Sequence, residues 1–135
     1  MLLSHEDPNE DVDAHPYWYA RVIGIFHVDI VHNGPKSTSS EKRRINFLWV
    51  RWFGRDVSFN AGWKAQRLHR IGFLNASLDG SGAFSFLDPS MVIRSVHVIP
   101  AFAHGQTSDL LHPPQSVARL PLNEERDWQY YYINM

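Results

Sequence analysis

Tyr17-Trp18-Tyr19-Ala20-Arg21-Val22-Ile23-Gly24-Ile25-Phe26-His27-Val28-Asp29-Ile30-Val31 is the stretch on which the fold turns. Its even positions Trp18, Ala20, Val22, Phe26, Val28 and Ile30 are apolar, while Arg21, His27 and Asp29 fall on odd ones. A repeat of two sends alternate side chains to opposite faces, so the stretch predicts a half-buried strand. Asn33-Gly34-Pro35 breaks it, and the polar run from Lys36 to Glu41 suits the long, flexible tip of a hairpin. The return, Arg44 to Phe53, puts Ile45, Phe47, Trp49 and Phe53 on one face and Leu48, Val50 and Trp52 on the other. Apolar residues on both faces predict a central strand.

Working outward, Gly54-Arg55-Asp56 ends that strand, and Val57 to Ala65 reads as a loop around an anchor, Trp63. Arg67 to Leu74 reads as a short strand, Asp79-Gly80-Ser81-Gly82 as a turn, Phe84 to Leu87 as a strand and Asp88-Pro89 as a turn. Val92 to Phe102 is rich in β-branched residues and predicts a strand with Pro100 near its end. Ala103 to Asn123, with Gly105, Pro113, Pro114 and Pro121, predicts a surface loop, and Trp128 to Ile133 a closing strand. Residues 1–14 are acidic and aperiodic and read as a flexible arm, ordered from about His15-Pro16 onward. The expectation is one mainly-β domain over residues 15–135: a small twisted antiparallel sheet or distorted β-barrel with long loops and little helix.

Composition bounds the function. A chain of 135 residues, 44% apolar, with five Trp, five Tyr and eight Phe, can bury one core without staples. The absence of cysteine removes disulfides, thiolate nucleophiles and Cys-containing zinc sites, and fits an intracellular protein. The first residues have neither the basic nor the apolar region of a secretory signal, and no apolar run approaches membrane-spanning length. The net charge of −1 conceals an asymmetry. Residues 1–16 hold Glu6, Asp7, Glu10, Asp11 and Asp13 without a base. Residues 36–70 hold Lys36, Lys42, Arg43, Arg44, Arg51, Arg55, Lys64, Arg67 and Arg70 against Glu41 and Asp56, a local +7. From Lys42 onward these bases are candidate phosphate contacts, with Trp63 placed to stack on a base. Interspersed Arg and Lys are also what solvent-facing strands ordinarily carry.

The order of the motifs carries a resemblance. Tyr17 to Phe26, then Phe47-Leu48-Trp49-Val50-Arg51-Trp52-Phe53, then Asp88 to Val98 and Tyr130-Tyr131-Tyr132 resemble the β-rich segment near the C-terminus of proteins encoded by fungal CACTA-like DNA transposons. The likeness spans about residues 15 to 135. More distantly, Ala20-Arg21 through Phe26 and Val50-Arg51-Trp52-Phe53 are similar to the bromo-adjacent homology (BAH) domain. That resemblance implies a BAH-like or SH3-like barrel acting as a non-catalytic interaction module, with a protein or chromatin partner and a nuclear location. It implies no chemistry and no cofactor. The sequence is shorter than most BAH domains, and no partner-binding cage can be aligned on it residue by residue.

Among the residues themselves, Tyr17 and Tyr19 are the candidate walls of an aromatic recognition site, because aromatic faces hold quaternary ammonium groups. Trp49 and Trp52 lie on opposite faces of their strand and cannot line one pocket together. The eight histidines lack metal-ligand spacing, leaving only a site assembled in space from His69, His97 and Asp88 for a metal-dependent hydrolase or nuclease. Gly80-Ser81-Gly82 reads as a turn and not a nucleophile elbow, and Glu124, Glu125 and Asp127 read as a polar connector. No catalytic residue and no metal site is therefore assigned. The ranked expectations are a protein- or chromatin-binding module, then nucleic-acid binding through residues 36–70, then the metal hydrolase.

Overall fold

In the computed structural model, the described residues are 1–4, 15–32, 34–35, 41–74, 82–107 and 127–134. Among them nine strands carry the fold: β1 (Leu2–Leu3), β2 (Tyr17–Ile30), β3 (Arg43–Arg55), β4 (Arg70–Phe73), β5 (Phe84–Leu87), β6 (His97–Pro100), β7 (Gln106–Thr107), β8 (Asp127–Trp128) and β9 (Tyr131–Asn134). The main sheet is antiparallel in the order β1-β2-β3-β4-β9-β6, with β5 also on β3, and it curls into a half-barrel. Strands β7 and β8 form a separate pair. The mainly-β expectation holds, and helix among the described residues is limited to 3-10 turns at Pro89–Met91 and Phe102–His104.

The hairpin of β2 and β3 is the longest pairing, and its register explains the core. Val22 pairs with Val50 but Gly24 with Trp49, so Ile23 is an extra residue in a β-bulge. Cross-strand partners share a face, and one inserted residue reverses the alternation beyond it. The even positions therefore do not form one core face. Trp18, Ala20 and Val22 lie with Trp52, Val50 and Leu48 around Leu2 and Leu87, whereas Phe26, Val28 and Ile30 lie on the other face with Phe47, Ile45 and Arg43. On that second face, before the bulge, Tyr19 and Phe53 join Phe73, Ile71, Tyr131 and Ile133 in the main cluster. Val50 and Ile71 are fully excluded from water, a burial that contributes about 1.5–3 kcal/mol per aliphatic side chain.

Four expectations need correcting. Met1 and Leu2 are buried, β1 pairs with Tyr17 and Trp18, and the Met1 carbonyl accepts from Ile93 N at 3.1 Å, so the arm reading fails for the first residues. Residues 5–14 lie outside the described ones, as do the hairpin tip at 36–40, the turn at 79–81 and the loop from 108 to 126. The strand expected over 92–102 is reduced to His97–Pro100, because Val92 and Ile93 have no ladder partner and are exposed. β-propensity without a neighbouring strand does not make a strand. The closing strand is split at Gln129-Tyr130, where Tyr130 O turns aside to accept from Ala101 N at 3.0 Å. Trp63, finally, is no anchor: it is 97% exposed.

Candidate functional site: an aromatic cleft at the sheet end

Where β2 begins and β3 ends, Tyr17, Trp18, Tyr19, Trp52, Phe53 and Arg55 line a cleft of about 440 Å³ that wraps the end of the sheet, Trp18 and Trp52 from one face and Tyr19 and Phe53 from the other. His15, Gly54, Val57, Leu74 and Gly82 complete its described wall. Local pairing sets this arrangement. Tyr19 is opposite Phe53 and Ala20 opposite Trp52, so both strands deliver aromatic side chains to the same end of the sheet. Trp52 is fixed by its indole N–H donating to Ser85 Oγ at 2.7 Å, and Trp18 meets it edge-on at 5.9 Å. Leu74 lies over Gly54, where a Cβ would come within 2.5 Å of Leu74 Cδ2. Opposite, His15 Nδ1 accepts from Tyr17 N at 3.2 Å, and its ring stands edge-on to Tyr19 at 5.8 Å.

The cleft is apolar with a basic tendency. Burial, reinforced by Tyr17, pushes the Tyr19 phenol up to about 12, so its hydroxyl stays protonated. Arg55 and His15 stand in the wall, and no carboxylate is among its described residues. Such a surface accepts a flat or aliphatic body with a negative end and disfavours a bare cation.

Behind His15, at 4.8 Å, lies His69. Burial, with Arg55 nearby, lowers the His69 pKa from its ordinary value of 6.5. The unfolded chain then takes up a proton at a pH where folded His69 still resists it. Stability from this group is complete above 6.5 and declines as pH falls from there through the lower folded pKa. Urea titrations at pH 7 and pH 5 are expected to show a falling midpoint, and His69→Gln is expected to remove part of that fall. An unchanged acid dependence in the variant would remove His69 from this role.

The basic residues expected to act together are dispersed. Lys42, Arg43 and Arg44 are at the distal end of the hairpin and Arg55 at the other end of β3, about 40 Å away along the strand at ~3.3 Å per residue. Arg44 is engaged by Asp29 at 2.9 Å. Arg70 donates to Asp56 at 2.6 Å between the rings of Phe59 and Tyr130, and Ser58 also binds that carboxylate. Arg51 is the clearest correction to a phosphate-contact reading, because it is 2% exposed and turned inward. Lys64 and Arg67 remain exposed beside Trp63, on a loop closed by Gly62 N donating to Arg67 O at 2.8 Å. Trp63 is thus apart from Tyr17 and Tyr19, which the cleft does unite.

What the sequence reading missed is a buried polar core. Arg21 Nη1 donates to Asp127 Oδ1 and Arg21 Nη2 to Tyr131 Oη at 3.0 Å, while the Tyr131 hydroxyl donates to Asp127 at 3.1 Å. Arg51, paired with Arg21 in register, donates to Leu74 O at 2.9 Å. Both guanidiniums lie near the Phe73 ring, Arg21 4.7 Å and Arg51 5.0 Å from its centre. Burial lowers the Arg51 pKa, Asp127 opposes that, and Arg21 adds to it. For Arg21, burial acts downward but is outweighed by Tyr131 and Asp127, which raise its pKa. This cluster sits inside the half-barrel and holds its wall in place. His69, His97 and Asp88 are not gathered: no group of three or more metal-ligating side chains occurs among the described residues, and Asp88 instead caps Ser90 N at 2.8 Å. No protein-family model, curated protein or solved structure matches the chain.

Proposed function

We propose that the chain is a non-catalytic interaction module of a mobile-element-derived fungal protein, taking a segment of a protein or chromatin partner into the cleft lined by Tyr17, Tyr19, Trp52 and Arg55. The observation that carries this reading is that five aromatic side chains, Tyr17, Trp18, Tyr19, Trp52 and Phe53, line one cleft at the sheet end together with Arg55. Rigid aromatic walls and an arginine are the side chains that dominate protein recognition energetics. Arg55 makes an acidic or C-terminal-carboxylate peptide with one apolar side chain a better occupant than a methylated lysine, whose charge it repels.

Calorimetry with acidic, carboxylate-ended and methyl-lysine histone-tail peptides tests this. Micromolar binding of the acidic peptides is expected, with Tyr17→Ala or Arg55→Glu weakening it by roughly 30-fold, the loss of one hot-spot contact. Preference for methyl-lysine, or indifference to both variants, would overturn the assignment.

A second reading is favoured by one observation, the 97% exposed Trp63 on the same loop as exposed Lys64 and Arg67. That arrangement suits base stacking with phosphate contacts on a single strand. It requires binding of single-stranded nucleic acid that falls with salt and is lost in Trp63→Ala, leaving peptide binding untouched.

A further inference from the structure

Beyond the bulge, the β2–β3 hairpin presents an apolar face that no described strand covers. Gly24, Phe26, Val28 and Ile30 share it with Ile45, Phe47 and Trp49, and β5 adds Phe84 and Phe86. Its side chains are arranged in order. Phe26 stacks on Phe47 at 5.6 Å and 20°, and Phe47 meets Phe86 edge-on at 5.3 Å. Gly24 makes this possible, because a Cβ there would lie 2.5 Å from the Phe26 ring. Yet Phe86 is 70% exposed, Phe26 45%, Val28 42% and Ile45 42%. Among the described residues no third strand flanks residues 24–30 or 43–47. A two-stranded ribbon with one bare apolar face is marginal alone.

We propose that this face is the interface of a two-fold dimer, a second copy of the chain packing its own hairpin face to face. Area supports that occupant. The exposed parts of these side chains come to roughly 500 Å² per copy, about 1,000 Å² per pair, which meets the lower limit of a biological interface and suits a weak, reversible one. Charge also supports it. Arg43 alone is charged on this hairpin face, at the distal end, and Asp29 with Arg44 forms a neutral pair on the opposite face. In an antiparallel two-fold arrangement the two Arg43 side chains stand at opposite ends of the interface, away from each other. Two sheet faces in contact interdigitate at about 10 Å, which the stacked Phe ladder suits.

Sedimentation velocity on the whole chain over roughly a hundredfold range of concentration tests the proposal. A reversible monomer–dimer equilibrium in the micromolar range is expected. Phe86→Lys and Val28→Lys are expected to weaken it by at least about 30-fold, with circular dichroism and low-concentration melting unchanged. Ile25→Lys, on the opposite face and 67% exposed, is expected to dimerise as the parent does. Should Val28→Lys fail to fold, Phe86→Lys decides, since its side chain contributes least to the monomer. A parent chain that stays monomeric throughout, or a folded Phe86→Lys that dimerises normally, overturns the dimer.

Discussion

Asp127→Ala is expected to remove about 3–5 kcal/mol of stability, the loss found when one partner of a buried ion pair is deleted. Its side chain is 1% exposed and accepts from both Arg21 and Tyr131. The cost does not come from the attraction lost, since desolvation of the pair largely offsets that attraction. It comes from what remains: Arg21 and Arg51 side by side in register, with no other buried acid among the described residues. Domains of this size have only about 5–15 kcal/mol to lose, so the variant should be partly unfolded at modest urea. Asp127→Asn, which keeps the shape and one acceptor, should fall between the two. Adding Arg21→Met to Asp127→Ala should cost less than the sum of the single changes, because the orphaned charge is removed with its partner. Urea unfolding of the four proteins measures this, and a loss below about 1 kcal/mol in Asp127→Ala would mean that Arg21 is satisfied by water or Tyr131 instead.

The same network shows where sequence reading stops. The β2–β3 hairpin was legible because alternation is local: positions a few residues apart declare a strand, and the polar stretch between declares its turn. Which face each residue takes was legible on β3, where Val50 and Trp52 oppose Trp49 and Phe53, but not throughout β2. The one mark of the bulge at Ile23 is Gly24, a glycine inside a strand with Ile23 and Ile25 off the even alternation, and the bulge sends Phe26, Val28 and Ile30 away from Trp18, Ala20 and Val22. Tyr17 and Tyr19 could be singled out as aromatic walls. Trp52 could be named beside them but not seated, and Phe53 was missed, because only antiparallel pairing over thirty-odd residues brings them to the same end.

Charges misled for a related reason. Counting Arg51 and Arg70 toward a basic segment assumes that nearness in sequence is nearness on the surface. Arg51 points inward to Leu74 O, and Arg70 is held by Asp56. Asp127 was placed in a polar connector because its neighbours Glu124 and Glu125 are acidic. Its partner lies 106 residues away, and no periodicity in either segment announces such a contact. The signal that was present is modest: an arginine at an odd position within an otherwise apolar strand asks for a buried anion, and the aromatic closing segment had an acid at its start.

Phe73→Ala should rank with Asp127→Ala, at about 3–5 kcal/mol, as for other buried phenylalanines. Here a companion substitution separates two causes. Phe73 is 8% exposed, stacked on Phe53 at 4.3 Å, and presents its ring to Arg21 and Arg51. Phe73→Leu keeps most of the apolar volume but has no π face. If packing alone mattered, the loss would be within the ~1.5 kcal/mol typical of volume-conserving exchanges. Two guanidiniums that are largely withdrawn from water should lean more heavily on the ring, at about 0.5–2 kcal/mol each. The expected loss for Phe73→Leu is therefore about 2–3 kcal/mol, and Arg51→Met in that background should cost less than in the parent. Equal costs of Arg51→Met in both backgrounds would reduce the ring to a packing element. It would also leave Leu74 O and Asp127 as the groups that make a buried Arg51 tolerable, which shifts the weight of the half-barrel wall back onto the carboxylate.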